Sequence, residues 1–87
     1  MKRWSIIFKI FGNINRLKII KILLDSRGMY VTDIADKLDI SVKSTSKHLI
    51  LLNNLDVLEY KGTAGHVLYF INPRMPEDLN KILKLFA

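Results

Sequence analysis

The sequence VTDIADKLDISVKSTSKHL, residues 31–49, carries the clearest pattern in this chain of 87 residues. In its first part, Ile34 and Leu38 are four positions apart, so both side chains share one face of a helix. In its second part, Thr45 and Leu49 repeat that spacing. The pattern predicts two short helices joined by a tight turn.

Polar residues at the two expected helix starts support this interpretation. Ser41 follows Ile40, an apolar residue that we expect to lie beneath the turn, and its hydroxyl can accept a bond from a free backbone N–H of the second helix. Thr32 is expected to cap the first helix, where Asp33 suits the positive end of the helix dipole.

The outward side of the second helix is small, polar and basic. It comprises Val42, Lys43, Ser44, Ser46 and Lys47, all within the first two turns. Such a helix can enter the major groove of DNA, where lysine donates to guanine and an apolar group contacts the thymine methyl. A helical hairpin with a solvated polar face is the alternative.

Composition supports one small basic domain that spans residues 1–87. The net charge is +6 and 49% of the residues are hydrophobic. A basic balance is typical of proteins with an anionic partner such as nucleic acid. The chain has no cysteine and no apolar run long enough to cross a membrane. Lys9 interrupts the apolar first segment, which therefore resembles a signal peptide only superficially. We therefore expect a cytoplasmic protein.

Apolar spacing predicts further helices on either side of residues 31–49. One covers residues 4–11, and a second, capped by Asn13, runs over residues 14–24. The stripe of the second helix is expected on Leu17, Ile20 and Leu24, with Ile14 as a further member. A short β-prone segment, residues 29–31, follows.

Two β-rich runs follow the second helix of the central pair. They surround a loop at residues 62–65 with glycine at each end, which predicts a hairpin over residues 58–71. A hairpin in this place is a wing that can lie along the DNA backbone or minor groove. We expect Lys61, Thr63 and His66, at or near its tip, to meet phosphates.

The first and last segments carry more apolar side chains than one thin domain can bury. Pro76 suits the first position of the last helix. The surplus of apolar side chains in the first and last helices predicts a two-fold dimer. The residues expected at its interface are Trp4, Phe8, Phe11, Leu79, Ile82 and Phe86.

Four segments together resemble the ArsR-type (ArsR/SmtB-like) winged helix-turn-helix regulators of bacteria and archaea. They are residues 7–20, 31–38, 41–52 and 61–70, and the sequence SKHL within the third is the most specific. The resemblance implies a mainly helical α+β fold in the order α-α-β-α-α-β-β-α, with a dimer formed through the first and last helices.

The chain departs from this family at informative positions. Asp56 stands where the family often has glycine, although aspartate tolerates a left-handed backbone moderately well. Ala35 and Lys37 stand where the metal-sensing members have cysteines, so that site is absent. The resemblance makes His48 a packing or backbone-contact residue. We therefore expect no bound metal and no cofactor.

The sequence thus predicts a homodimeric regulator that binds double-stranded DNA and is not an enzyme. Residues 41–53 are the expected recognition helix, and repression is what the resemblance implies. Nothing resembles a catalytic triad, a phosphate cradle or a buried carboxylate pair. A winged-helix module that docks an acidic protein partner is the main alternative, and a switch that responds to a metal or ligand is a weaker one.

Overall fold

A computed structural model describes residues 5, 8–10 and 12–85, with the backbone alone for Thr63 and Asp78. Residues 5 and 8–10 are helical. The elements that follow are α1 (Ile14–Leu24), β1 (Met29–Tyr30), α2 (Val31–Leu38), α3 (Val42–Asn54), β2 (Leu58–Thr63), β3 (His66–Ile71) and α4 (Glu77–Lys84). This order confirms the predicted winged helix-turn-helix.

The three strands form one antiparallel sheet in the order β1-β3-β2. The short strand β1 lies at an edge and pairs Met29 with Tyr69. On the other side of β3, the pairing runs from Leu58 opposite Ile71 to Thr63 opposite His66. The sheet therefore joins the wing to the segment that leads directly into α2.

Helix starts agree with the sequence at two places and differ at a third. The Asn13 side chain accepts from the N–H groups of Asn15 at 2.9 Å and Arg16 at 3.3 Å. Ser41 Oγ accepts from the Ser44 N–H at 3.0 Å. The predicted Thr32 cap is wrong, because α2 begins at Val31, immediately after β1, and Thr32 already lies inside its first turn.

The turn between α2 and α3 is closed by backbone bonds. Asp39 takes a left-handed conformation with φ of 55°. Its N–H donates to the Asp36 carbonyl, and the Ile40 N–H donates to the Ala35 carbonyl, both at 3.2 Å. Ile40 is half-buried. The chain thereby turns between the two helices, and residues 41–43 at the start of α3 are exposed.

The core lies between the helices and the inner face of the sheet. Helix α3 contributes Thr45, Leu49 and Leu52, each with 0% exposure, as its periodicity predicts. In α1 the buried residues include Ile19 and Ile20. Placing Ile14 on the buried stripe was wrong, since its side chain is 63% exposed. The remaining buried hydrophobic residues of the core are Ile10, Leu23, Ile34, Val57, Leu58, Tyr69, Met75, Leu79 and Leu83.

The wing has a shorter loop than the four-residue loop that its glycines suggested. Strands β2 and β3 pair as far as Thr63 and His66, which leaves only Ala64 and Gly65 in the turn. Both have positive φ, 46° and 83°. Two such residues form the type I′ turn, whose twist matches that of the strands.

A polar connection joins the end of α3 to the end of the wing. Asp56 is left-handed, with φ of 63°, where the family often has glycine. Its carbonyl accepts from Asn72 Nδ2, and the Asn72 N–H donates to the Val57 carbonyl, both at 2.9 Å. The Asn72 amide is buried, so these bonds satisfy groups that cannot reach water easily.

Gly28→Ala is expected to destabilise the fold. Gly28 has φ of 133°, and an added Cβ would lie 3.1 Å from Leu68 Cγ and 3.2 Å from the Tyr69 carbonyl oxygen. We expect the free energy of unfolding, measured in urea, to fall by about 1–3 kcal/mol. The control is Gly62→Ala, which meets nothing within 4 Å. An equal loss in both variants would contradict this account.

Candidate nucleic-acid interface

One side of α3 is exposed along its whole length. Lys43 and Lys47 are exposed on the side opposite the buried Thr45, Leu49 and Leu52 stripe. Ile50 and Asn54 continue the same face at helical spacing and are also exposed. We call these four residues, Lys43, Lys47, Ile50 and Asn54, the α3 face.

The start of α3 presents the other predicted contact residues. Val42 is exposed, whereas Ser44 and Ser46 are half-buried on the flanks of the helix. The N-terminus of a helix carries partial positive charge, and the sequence has no acidic residue from position 40 to 55. This end of α3 therefore attracts anions.

The wing supplies a second group of predicted residues. Lys61 and His66 are exposed, and Thr63 pairs with His66 through the backbone. The His66 ring contacts the ring of Tyr30, with centroids 5.5 Å apart. The sequence did not indicate this contact, because it depends on β1 pairing beside β3.

Sequence reasoning also missed an apolar patch between α3 and the wing. Ile50 is 53% exposed and Tyr60 is 60% exposed. Together with Asn53, Asn54 and Tyr69 they line a groove of about 280 Å³. The spacing of Ile50 from Lys43 and Lys47 could have placed it on the α3 face, but Tyr60 joins it only through the fold.

Two residues that line this groove, Tyr69 and Asn53, have polar groups that are partly or fully buried. Burial raises the pKa of Tyr69, and the neighbouring Tyr60, whose ring centroid lies 5.8 Å away, raises it further. Asn53 Oδ1 is buried and has no hydrogen-bond partner among the described residues.

His48 lies beside the buried stripe of α3. It is half-buried, and this burial lowers its pKa below 6.5, with a further lowering from the positive charge of Arg16. Arg16 is itself held in place, because its Nε–H donates to the Lys9 carbonyl at 2.8 Å. His48 therefore favours its neutral form in the folded chain.

The predicted dimer residues fall into three groups. Trp4, Phe11 and Phe86 lie outside the described residues. Phe8 is 69% exposed and Ile82 is half-buried. Leu79 is only 6% exposed, so it packs in the core of a single chain and offers little surface to a second copy.

The described ranges contain no group of three or more histidine, cysteine, aspartate or glutamate residues that could hold a metal ion. In the same ranges no helix has both the length and the apolar character that a membrane span requires.

Helices α1 to α3 and the start of the wing lie within a segment that matches a known protein family. Residues 13–60 match the family described as bacterial regulatory protein, arsR family. The chain belongs to this family. The match runs from the Asn13 cap of α1 to Tyr60 in β2, so it includes both helices of the helix-turn-helix.

Individual relatives agree with this assignment. The cadmium resistance transcriptional regulatory protein CadC of Listeria innocua is 42% identical over 64 residues, which cover 74% of this chain and 54% of CadC. The chain thus spans about half the length of the curated relatives it matches.

Solved structures share the fold. HlyU from Vibrio cholerae superposes with a TM-score of 0.81 at 23% identity, covering 97% of this chain and 87% of HlyU. The homodimeric winged helix-turn-helix DNA-binding domain of Mb0332 from Mycobacterium bovis gives a TM-score of 0.79 at 21% identity, covering 97% and 74%.

His48 is expected to make folding stability dependent on pH. Because its pKa is lower in the folded chain than in the unfolded chain, the unfolded chain binds more protons between the two values. Stability is therefore full above about pH 6.5 and falls as the pH drops towards the folded pKa. Urea unfolding between pH 7 and pH 5 should show this loss.

His48→Gln should flatten this part of the pH profile, whereas the control His66→Gln, on the exposed wing, should keep it. Arg16→Gln should move the pKa of His48, read from its ring protons by NMR, back up towards 6.5. A His48 pKa that is unchanged in Arg16→Gln would contradict the contribution of Arg16.

Proposed function

We propose that this chain forms a homodimer that binds double-stranded DNA in the cytoplasm and represses transcription. Helix α3 enters the major groove, and the wing lies along the backbone or minor groove. One observation carries the proposal. Lys43 and Lys47 are exposed on the side of α3 opposite its buried stripe, at the end of the helix where the dipole also attracts anions.

The residues of this surface divide into two roles. Lys43 and Lys47 donate to guanine O6 and N7 or to phosphates, and Val42 can contact a thymine methyl group. Ser44 and Ser46 lie on the flanks and suit phosphates or nearby bases. On the wing, Lys61, Thr63 and His66 approach the backbone, where their contribution is independent of base sequence. They complete the set that we propose for DNA contact.

The dimer is proposed through the first and last helical segments. Phe8 and Leu85 are strongly exposed apolar residues in these segments, and Ile82 in the last helix is half-buried. The homodimeric domain of Mb0332 shares this fold and supports such an assembly. A two-fold dimer places two α3 helices at half-sites about 34 Å apart, one turn of the duplex.

Repression, rather than activation, is carried over from the family resemblance. CadC is named as a cadmium resistance regulator. In this chain Ala35 is apolar and buried and Lys37 is a cation, at the positions where metal-sensing members have cysteines. We therefore propose a repressor that does not respond to metal through that site.

Removing the two lysines of the α3 face tests the DNA proposal. Each phosphate neutralised by a lysine contributes about 0.9 to the slope of log K against log salt. We expect Lys43→Ala/Lys47→Ala to weaken binding at least about tenfold if either lysine contacts a base. Its salt slope should also be shallower. The measurement is a titration of duplexes selected from a random pool, at several salt concentrations.

The matched control is Lys81→Ala/Lys84→Ala on α4, where Lys81 pairs with Glu77 at 3.8 Å. This variant should bind DNA as the parent chain does. If Lys43→Ala/Lys47→Ala bound unchanged, α3 would not be the recognition helix. If the parent chain failed to bind any duplex at low salt, the DNA proposal itself would be wrong, and an acidic protein partner would become the better hypothesis.

Phe8→Glu tests the dimer. A charge placed on this exposed apolar residue must be desolvated in the proposed interface, so the dimer should dissociate at micromolar concentration. Sedimentation velocity measures the change. Ile50→Glu, also at an exposed apolar position but on the α3 face, should leave the dimer intact. The proposed interface would be contradicted if both variants dissociated equally, or if neither dissociated.

A further inference from the structure

A second surface has a chemistry that the DNA proposal does not use. Helices α1 and α2, with the start of β1, enclose an open groove of about 470 Å³. This volume is within the usual range for sites that bind small molecules. The residues that line it are Lys18, Lys21, Ile22, Asp25, Ser26, Met29, Lys37 and Leu38. None of them belongs to the α3 face or to the wing.

The floor of this α1–α2 groove is apolar. Ile22, Met29 and Leu38 line it, and each is half-buried. Met29 and Leu38 also pack against the hydrophobic core, so the floor is held by the fold. Such a surface binds a flat apolar body, because contact removes apolar area of both molecules from water.

The rim is positively charged. Lys18, Lys21 and Lys37 are all exposed, and none has an ion-pair partner among the described residues. Asp25 is the only carboxylate in the lining, so positive charge remains uncompensated. A ligand with one or two negative charges would reduce the repulsion among these ammonium groups.

Ser26, the uncharged polar residue of the lining, is already engaged. Ser26 Oγ donates to the Leu23 carbonyl at 3.4 Å and accepts from the Gly28 N–H at 3.2 Å. Recognition of a polar ligand group therefore falls to the lysines on the rim. Lysine ammonium groups select negative charge and impose little geometry, so they accept a compact anionic group such as a carboxylate.

We propose that the α1–α2 groove binds a small organic anion with an aromatic or other flat apolar body and a carboxylate. The body lies on Ile22, Met29 and Leu38. The carboxylate faces the ammonium groups of Lys18, Lys21 and Lys37. Because α2 packs directly against α3, the ligand would occupy one side of the helix pair that supports the recognition helix.

Methionine methyl NMR gives a direct test with 1-naphthoate as the probe. The chain has three methionines, of which Met29 lies in the groove and Met75 lies in the core. With ¹³C-labelled methyl groups, we expect a saturable shift of the Met29 signal at millimolar 1-naphthoate and little change at Met75. The neutral analogue 1-naphthalenemethanol should bind about fivefold more weakly or worse, because it lacks the charge.

Two variants separate the site from general attraction to a basic protein. Lys18→Gln/Lys21→Gln should weaken 1-naphthoate binding about fivefold or more, whereas Lys81→Gln/Lys84→Gln should not change it. The proposal is overturned by any of three results: an unmoved Met29 signal, equal binding of the neutral analogue, or equal effects of the two double variants. No DNA is present, so the outcome is independent of the proposed regulatory function.

Discussion

The burial of one side of α3 is the constraint that organises this molecule. Thr45, Leu49 and Leu52 are inaccessible to solvent, and the Thr45 hydroxyl donates to the Ser41 carbonyl at 2.9 Å. A helix buried along one stripe cannot rotate about its axis without exposing apolar side chains and burying charges. The rotation that buries the stripe is therefore the one that holds Lys43 and Lys47 in solvent.

The second constraint is the position of the wing relative to α3. The chain leaves α3 through the left-handed Asp56, and the buried Asn72 side chain then binds the Asp56 carbonyl from the far end of β3. Val57 accepts from the Asn72 backbone at the same place. Both bonds are donated by Asn72, just after β3, to the turn that leads from α3 into β2, and they restrain the angle between the wing and α3. The proposed contacts of Lys61 and His66 rely on that angle.

Lysines stand on two surfaces of different shape. Lys43 and Lys47 lie on the exposed, convex face of α3, and residues 40–55 include no acidic residue. Lys18, Lys21 and Lys37 surround the concave apolar floor of the α1–α2 groove. A convex basic helix fits the groove of a duplex, whereas a concave apolar floor with a basic rim fits a small amphiphilic anion. The two ligands that we propose thus differ because the shape of the surface around the lysines differs.

Local patterns were sufficient for much of the fold and for the position and exposed face of α3. The caps at Asn13 and Ser41, the buried stripe of α3 and the exposure of Lys43 and Lys47 all follow from interactions within a few turns of one helix, which the spacing of residues encodes directly. The winged arrangement followed from the order of elements and from the family resemblance. These features need no knowledge of which distant segments meet.

Contacts between separate segments decided the features that local patterns did not predict. The β-prone segment at residues 29–31 was predicted, but its pairing with β3, after which α2 starts directly at Val31, was not. Ile14 remains exposed because the packing of α1 against α3 and β3 buries a different side of it. The Tyr30 contact with His66, the patch of Ile50 and Tyr60, and the α1–α2 groove each join residues that are remote along the chain. Periodicity encodes the buried face of each helix, but only the assembled chain determines which faces lie next to one another.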